Sequence, residues 1–396
     1  MSKMTDRRVV IVTRPTRLDN ILAKESTIQQ ARFKMASQNM ISQSFSKADE
    51  TNTDFALYET EHNSYQAAIQ AVKEHTGTLA PVQVLERRYL PNFLFHESDI
   101  VICIGQDGLV ANTLKYLDGQ PVVGINPDRK AYDGILLPFE PKDALRIIRD
   151  VSQDKRKYRS VSMGEVRFPD GQRLLAVNDF FIGQRGHASA RYIIKYKGLK
   201  EPQSSSGVIV STGMGSTGWL KSVITGAKGV SSSVIGEVYK TPDMAEALLD
   251  YDEDGLIAAP AMKMACVEES EVCIDEKTAF SRVMEARKDA QVLQKQAARV
   301  PKKARKVMGA SELDRVVGQW ESRDLIFAVR EPFPSKTSGT GIIFGRIAPD
   351  ETLRIESMMG ENGIIFSDGI ESDYLDFNSG MEATITIAAK TGRVIV

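Results

Sequence analysis

The stretch Asp99–Leu117, DIVICIGQDGLVANTLKYL, decides the fold of the chain. Its apolar run Ile100–Ile104 is typical of a buried strand, and apolar residues recur at helical spacing from Leu109 onward. Between them lies the turn Gly105–Gly108, which holds one carboxylate, Asp107. In an open α/β sheet, ligands bind beyond the carboxyl ends of the strands. The stretch therefore predicts a strand, a turn that faces a ligand, and a helix.

Short apolar runs and helical segments alternate through the first 150 residues. The alternation implies a parallel sheet with right-handed crossovers, and we expect a Rossmann-like α/β domain over residues 1–150. A polar loop is expected at Ser42–Asp54. Strands are predicted at Arg8–Val12, Val82–Leu85, Ile100–Ile104 and Pro121–Ile125, and helices at Leu18–Asn39, Tyr65–His75, Leu109–Leu117 and Pro141–Asp150.

Beyond residue 151, strand-like runs follow one another with few helices between them. Such runs indicate antiparallel or mixed sheets, and we expect a β-rich, sandwich-like domain over residues 151–396. Strands are predicted at Val161–Phe168, Arg173–Ile182, Ala190–Tyr196, Gly207–Ser211, Leu325–Val329, Gly341–Arg346, Thr352–Glu356, Gly363–Phe366 and Ala383–Ala388. One helix is predicted at Trp219–Thr225. Residues 278–307, rich in Ala, Lys, Arg and Gln, favour a solvated helical insertion over a basic groove for phosphates.

The composition limits the class of protein. The chain has 396 residues, 51 Lys and Arg against 52 Asp and Glu, and 42% hydrophobic residues. This balance argues against nucleic acid or an anionic membrane as the main partner. The run Val9–Val12 is too short for a signal peptide, and no run approaches the roughly 18 apolar residues of a membrane span. Three cysteines form no CxxC pair and four histidines show no metal-ligand spacing. We expect a reduced, cytoplasmic protein in which Cys103 is a buried apolar residue.

Two further segments carry polar groups where a ligand could bind. The segment Gly213–Gly218 matches GxGxxG, follows a strand-like run and precedes a predicted helix. The sequence contains no Walker A motif, which argues against a P-loop NTPase. A dinucleotide-binding βαβ unit is one interpretation, although the neighbouring runs indicate β structure. Whatever the fold, the small residues of Gly213–Gly218 would let a ligand approach the backbone closely, and the N–H groups at the start of the helix favour an anion. The alternative is an ordinary structural turn, since Gly and Ser are common in turns. The polar pair Asn178-Asp179 interrupts a predicted apolar strand. Because buried polar side chains need hydrogen-bond partners, the pair is either a structural hydrogen-bond hub or a ligand contact.

In their order along the chain, these segments resemble the motifs of NAD kinases. Gly105–Gly108 (GQDG), Asn178-Asp179 and Ser211–Thr217 (STGMGST) correspond to the family's GGDGT, Asn-Glu and Thr-Gly-Ser elements. Val122–Pro138 is similar to the loop after the family's fourth strand, in the longer form of the mitochondrial-type enzymes. Phe366–Gly369 (FSDG) resembles the late Val-Asp-Gly element. The resemblance runs from residue 8 to residue 396, with residues 234–317 poorly covered.

The resemblance implies a transferase that converts ATP and NAD to ADP and NADP, with Mg²⁺ on the phosphates and the active site between the two domains. Asp107 would polarise or deprotonate the 2′-hydroxyl of the adenosine ribose. Asn178 and Asp179 would contact the acceptor dinucleotide, and the Thr212–Thr217 loop its adenosine part. The implied nucleotide-binding residues are Gly105, Gln106, Gly108, Asn178, Asp179, Thr212, Gly213, Gly215, Ser216, Thr217 and Asp368. A homo-oligomer, dimer or tetramer, is the expected assembly.

Three positions depart from the family pattern. Gln106 stands where the family has glycine, Leu109 where it has threonine, and Asp179 where it has glutamate. Glutamine adds bulk where glycine permits positive φ, and leucine lacks a hydroxyl. The sequence leaves open an NAD kinase, a kinase with another hydroxyl acceptor or phosphoryl donor, and a homologue that binds nucleotide without turnover.

Overall fold

The computed structural model describes residues 7–25, 27–34, 53–238 and 316–396. These residues belong to two units, which divide after Gly218 and again before Ala310. The described part of the smaller unit is a single helix, Trp219–Val238, longer than the predicted Trp219–Thr225. The predicted insertion at residues 278–307 lies outside the described residues.

The amino-terminal half alternates strands and helices, as predicted. Its elements are β1 (Val9–Thr13), α1 (Arg17–Leu22), α2 (Thr53–Gly77), β2 (Val82–Glu86), β3 (Ile100–Ile104), α3 (Asp107–Leu114), β4 (Pro121–Ile125) and α4 (Ala144–Ser152). The four strands are parallel, in the order β2-β1-β3-β4. Because the chain moves to one side of β1 with β2 and to the other side with β3, the switch point of the topology lies between β1 and β3.

The two helices before β2 differ from their predicted bounds. The predicted helix Leu18–Asn39 is interrupted after α1, which begins with a capping box between Thr16 and Asp19. Residues 35–39 lie outside the described ranges. In contrast, α2 begins well before the predicted Tyr65, at Thr53. Its first turns extend the helix because Phe55 packs with Leu18 in a small apolar cluster of its own.

The carboxyl-terminal half is built almost entirely of strands. They are β5 (Tyr158–Arg167), β6 (Arg173–Ala176), β7 (Asp179–Gln184), β8 (Ala190–Tyr196), β9 (Leu199–Ser205), β10 (Val208–Ser211), β11 (Leu325–Val329), β12 (Phe344–Ile347), β13 (Leu353–Ser357), β14 (Gly363–Ser367), β15 (Ile370–Asp376) and β16 (Glu382–Ile395). Six of them form an antiparallel sheet in the order β12-β11-β10-β7-β14-β15. The helix that follows β10, Trp219–Val238, is α5.

The last strand, β16, connects the two kinds of sheet. Its Arg393 and Val394 pair in parallel with β4, while its earlier residues pair antiparallel with β13 and β5. The parallel sheet therefore continues into a ten-stranded mixed sheet, β2-β1-β3-β4-β16-β13-β8-β9, with β5 and β6 beside β16. Buried residues of both sheets, among them Tyr192 and Phe327, form the largest core cluster. The predicted fold class, α/β followed by a β sandwich, is confirmed, and the boundary at residue 150 stays a prediction.

Three sequence expectations about strands were wrong. The predicted strand Arg173–Ile182 is two strands in different sheets, β6 and β7, and the chain crosses between them at Val177-Asn178. The strands β9 and β15 were not predicted. Both are edge strands with polar sequences, and β9 contains Pro202, a residue that sheets tolerate mainly at their edges.

Every helix in the described ranges is too short or too polar to span a membrane.

Candidate functional site

The glycine turn lies beyond the carboxyl end of β3, next to the switch point. Gly105 has φ +145°, a backbone conformation that favours glycine, and its N–H donates to the Ile125 carbonyl oxygen at 3.2 Å. Gln106 is the N-cap residue of α3, and Asp107 opens the helix. The turn thus places one carboxylate at the edge of the parallel sheet where ligands bind in such folds.

The loop after β4 fixes the Asp107 carboxylate. The backbone N–H groups of Leu136 and Ile135 donate to its two oxygens at 2.7 and 3.2 Å. A Cβ atom on Gly124 would lie 1.8 Å from the Leu136 carbonyl oxygen, so glycine is what lets this loop cross β4 closely. The Asp107 side chain is partly exposed. It is therefore an oriented carboxylate that a ligand can reach.

Asp368 organises a second cluster. It lies with Gly369 in the two-residue turn between β14 and β15, where both residues have positive φ (55° and 69°), as in a type I′ hairpin. Its buried carboxylate accepts hydrogen bonds from the N–H groups of Asn178, at 2.6 Å, and Val177, at 3.0 Å. The Lys115 ammonium lies 3.5 Å from Asp368. Burial raises the pKa of the Asp368 carboxyl, and Lys115 and the two N–H donors oppose that rise.

Asn178 and the start of the glycine-rich loop are joined by backbone contacts. The Asn178 carbonyl oxygen accepts from the Thr212 N–H at 2.8 Å, and the Thr212 hydroxyl donates to the Val177 carbonyl oxygen at 2.6 Å. A Cβ atom on Gly215 would lie 2.1 Å from the same Asn178 oxygen. The structure therefore brings Asn178, Thr212, Gly215 and Asp368 together.

The rest of the glycine-rich loop is bonded within the protein. The Ser216 hydroxyl donates to the Gly213 carbonyl oxygen at 2.6 Å and accepts from the Gly318 N–H at 3.0 Å. Thr217 is exposed, and its hydroxyl donates to Met214. Because β10, the strand before the loop, is antiparallel to β7 and β11, the loop does not belong to a βαβ unit. The interpretation of GxGxxG as part of a dinucleotide-binding βαβ unit was wrong.

Asp179 is a predicted site residue whose surroundings raise its pKa. It is partly buried at the start of β7, and no described residue donates a hydrogen bond to its carboxylate. Burial and, to a smaller extent, the nearby Asp368 together raise the pKa of Asp179 to about 7. Asp179 can therefore exchange a proton near neutral pH.

The helix α3 links the glycine turn to the second cluster. Asp107 opens this helix and Lys115 directly follows it, about 12 Å further along the axis at the usual rise per residue. Lys115 Nζ donates to Ser367 at 2.7 Å and to Asp373 at 2.6 Å. No hydrogen bond within the described ranges joins Asp107 directly to Asn178 or Asp368. The predicted site residues thus form two groups connected by one helix.

Comparison with known proteins shows a partial similarity. No protein-family model matches the sequence. The chain is 28% identical over 154 residues to an NAD kinase of Chlorobium phaeobacteroides, a match that covers 38% of this chain and 50% of that protein. The chain thus spans about half the length of this curated relative. The resemblance to NAD kinases predicted from the motifs is confirmed.

Two solved structures of similar proteins align along most of the chain. One is the crystal structure of an NAD kinase from Archaeoglobus fulgidus in complex with ATP, with TM-score 0.47 and 14% identity, covering 98% of this chain and 93% of that one. The other is yeast NADH kinase complexed with NADH, with TM-score 0.45 and 11% identity, covering 99% of this chain and 84% of that one.

Two departures from the NAD kinase pattern have structural explanations. Gln106 has φ −95° and ψ 158°, an extended conformation open to any residue, so its backbone does not need the family's glycine. The expectation that glutamine restricts φ here was wrong, and the Gln106 side chain is exposed. Leu109 is 2% exposed and lies in a core cluster with Val110 and Leu136. The family's threonine position therefore faces the core in this protein.

Sequence reasoning missed two charged residues of the site, Arg14 and Lys115. Arg14 directly follows β1 and is held by Glu61 and Tyr132. The rule that ligands bind beyond strand ends applies to β1 as well as to β3, and it would have indicated Arg14. Lys115 lies among apolar residues of the predicted helix and is buried. A buried cation requires a partner of opposite charge, and this rule would have indicated Lys115.

Proposed function

We propose that this protein transfers the γ-phosphoryl group of ATP to the 2′-hydroxyl of the adenosine ribose of NAD and so produces NADP. The observation that carries the proposal is the position of Asp107, whose carboxylate lies beyond β3 at the topological switch point and is oriented by Ile135 and Leu136. The similarity to a curated NAD kinase supports this choice of substrates.

The reaction needs mainly positioning and neutralisation of charge. The ribose hydroxyl gives its proton to Asp107, its oxygen forms the new bond to the γ-phosphorus, and the bond to the β-phosphate oxygen breaks to release ADP. The two N–H donors hold the Asp107 carboxylate in one orientation. Asp107 therefore acts mainly by accepting and orienting the hydroxyl as the phosphoryl group is transferred.

Magnesium enters this proposal with the donor, as magnesium-ATP. Among the described residues, no group of three or more His, Cys, Asp or Glu side chains is arranged to hold a metal ion. Phosphate oxygens and water satisfy most of the octahedral preference of Mg²⁺ in kinase sites, so a full protein cage is not required. The prediction for the protein is that phosphate transfer requires added Mg²⁺ and stops when it is chelated.

We extend the proposal to a homo-oligomer, a dimer or tetramer, that acts in the cytoplasm. The resemblance to NAD kinases supports the assembly, and the absence of a disulfide-like cysteine pattern from the sequence supports a reducing compartment. Light scattering coupled to size-exclusion chromatography measures the mass of the assembly directly. A mass equal to the monomer at micromolar concentration would contradict the oligomer.

A screen of acceptors tests the proposed function. The purified protein is incubated with Mg²⁺ and ATP and, separately, with NAD, NADH and nucleosides, and the products are identified by mass spectrometry. The expected product is NADP from NAD. Phosphorylation of a nucleoside but not of NAD would show a different acceptor, and nucleotide binding without any product would contradict enzymatic turnover.

A further inference from the structure

We propose that Arg14 binds a phosphate oxygen of a nucleotide at the glycine turn, through its Nε–H group. Arg14 follows β1 and Gly105 follows β3, so the two residues flank the switch point of the parallel sheet. The identity of the phosphate, from ATP or NAD, rests on the proposed function; the anion-binding role of Arg14 does not.

The Arg14 guanidinium is fixed before any ligand arrives. Its Nη2 donates to Glu61 and to the Tyr132 hydroxyl, both at 2.9 Å, and its Nη1 donates to the Pro15 carbonyl oxygen at 3.1 Å. The Tyr65 and Tyr132 rings flank it, with centroids 5.4 and 5.9 Å from the guanidinium carbon. The side chain is 11% exposed. Little side-chain entropy remains to be lost when Arg14 binds a ligand.

The Nε–H group of Arg14 is left without a partner. It is the buried side-chain nitrogen or oxygen in the described residues that has no hydrogen bond. A buried donor without an acceptor costs about 1–3 kcal/mol, so such a group requires an explanation. The other two nitrogens of the same guanidinium both donate hydrogen bonds. An absent ligand oxygen is the explanation that the surroundings support.

The unpartnered group faces the glycine turn. A Cβ atom on Gly105 would lie 3.4 Å from Arg14 Nε, so this nitrogen lies directly against the glycine turn. Gly105 lies two residues before Asp107, so a ligand oxygen that accepted from this nitrogen would lie at the glycine turn. A guanidinium is the side chain best suited to phosphate oxygens, because it is always charged and its donors are rigidly oriented.

Tyr65 holds the two strand ends at a fixed separation. Its hydroxyl donates to the Ile104 carbonyl oxygen at 2.7 Å, just before the turn, and accepts from the Arg14 N–H at 2.9 Å. Burial raises the pKa of Tyr65 to about 12, so the hydroxyl keeps its proton at physiological pH. The distance between Arg14 and Gly105 is therefore set by the protein and not by the ligand.

Arg14→Lys tests the proposal, because lysine keeps the charge but has no Nε–H at that place. Tyr132→Phe is the matched control, since it removes a neutral bond to the same guanidinium and leaves Nε intact. Calorimetry measures binding of ATP, NAD, inorganic tripolyphosphate and adenosine. We expect Arg14→Lys to weaken tripolyphosphate and at least one nucleotide roughly tenfold and to leave adenosine unchanged, while Tyr132→Phe stays within about threefold. Whichever nucleotide, ATP or NAD, loses affinity in Arg14→Lys is the one whose phosphate Arg14 contacts.

Undiminished binding of all three phosphate ligands by a folded Arg14→Lys variant would overturn the proposal. If that variant does not fold, the Nε–H resonance of Arg14 in the wild-type protein gives the answer by nitrogen-15 NMR. A large downfield shift on addition of tripolyphosphate supports the contact, and an unmoved resonance in the saturated protein excludes it.

The two proposals fail in different ways. Wild-type NADP formation is measured beside the binding series. If the wild type forms no NADP but Arg14→Lys loses phosphate binding, the proposed reaction is wrong and the role of Arg14 holds. If the wild type forms NADP and Arg14→Lys keeps the KM values for ATP and NAD, the reaction holds and Arg14 has no part in binding phosphate.

Discussion

At the scale of single residues, the two site carboxylates have opposite surroundings. Asp107 accepts two backbone N–H groups and remains partly exposed. Asp179 accepts no hydrogen bond from the described residues, and its burial, together with the nearby Asp368, raises its pKa to about 7. Asp107 is therefore held in one orientation, while Asp179 changes charge near neutral pH and makes the stability of the protein sensitive to pH.

Asp179→Asn is expected to stabilise the protein above pH 7. Because the pKa of Asp179 is higher in the folded than in the unfolded protein, the folded state binds more protons between about pH 4 and pH 7, and its stability falls as the pH rises through that window. The substitution removes this loss, with a gain in free energy of unfolding on the order of 2 kcal/mol at pH 8 and almost none near pH 4. Urea unfolding at both pH values measures the difference. Asp133→Asn, at an exposed carboxylate, is the control, and a less stable Asp179→Asn variant at pH 8 would contradict the account.

At the scale of elements, α3 carries the site at both of its ends. Its first residue is Asp107, and Lys115 at its other end is bonded to Ser367 and Asp373 and lies near Asp368. The Asp368 carboxylate in turn holds the point where the chain crosses from β6 to β7. One helix thus sets the position of the glycine turn relative to the second cluster.

Lys115→Met is expected to destabilise the protein strongly. It leaves the buried Asp368 carboxylate without its nearby cation, which typically costs about 3–5 kcal/mol in such pairs. Adding Asp368→Asn to Lys115→Met should recover part of the loss, because the uncompensated charge is then removed. A double-mutant cycle from urea unfolding measures this coupling; independent, additive effects of the two substitutions would contradict it.

The two departures within the turn should behave differently when changed toward the family pattern. Leu109→Thr buries a hydroxyl in place of apolar atoms in the core and is expected to cost about 2–4 kcal/mol. Gln106→Gly is expected to change stability by less than about 1 kcal/mol, since the extended backbone at this exposed position suits either residue. Thermal unfolding of both variants checks this order, and a Leu109→Thr variant as stable as the wild type would contradict the buried role.

The sequence predicted correctly the elements that a short run of neighbouring residues defines, and it missed those that depend on residues far apart in the chain. The strands β3 and β4 were predicted with their observed bounds because each is a short apolar run between glycines or polar residues. The division between β6 and β7 was missed, since their apolar runs are nearly continuous and only the polar pair Asn178-Asp179 interrupts them. The partners of Arg14 were not predictable, because Tyr132 lies 118 residues away and no local pattern records that contact.

At the scale of the whole molecule, β16 is the strand that makes the larger unit one structure. Val394 is fully buried and pairs with Val122 of β4 on one side and Arg159 of β5 on the other. The parallel strands that carry the glycine turn and the antiparallel strands β5, β8 and β13 therefore share one sheet. We expect the two halves of this unit to unfold together.

Val394→Asp tests this connection. A carboxylate at this fully buried position in the sheet should lower the free energy of unfolding by at least about 3 kcal/mol. The temperature at which secondary structure is lost and the temperature at which nucleotide binding is lost should then fall together. Val396→Asp, at an exposed position two residues further on, is the control and should change little. Circular dichroism and nucleotide-binding fluorescence follow the two transitions. A variant in which only one of the transitions moves would contradict a shared sheet.

The most direct test of the central claim is the rate of NADP formation from NAD and magnesium-ATP by the wild type and by Asp107→Asn. The asparagine oxygen can still accept the Leu136 N–H, so the variant should fold and bind nucleotide normally. The account predicts that the wild type forms NADP and that Asp107→Asn is at least about 100-fold slower at saturating substrates, while Asp133→Asn keeps the wild-type rate. A wild type that forms no NADP, or an Asp107→Asn variant with full activity, would contradict it.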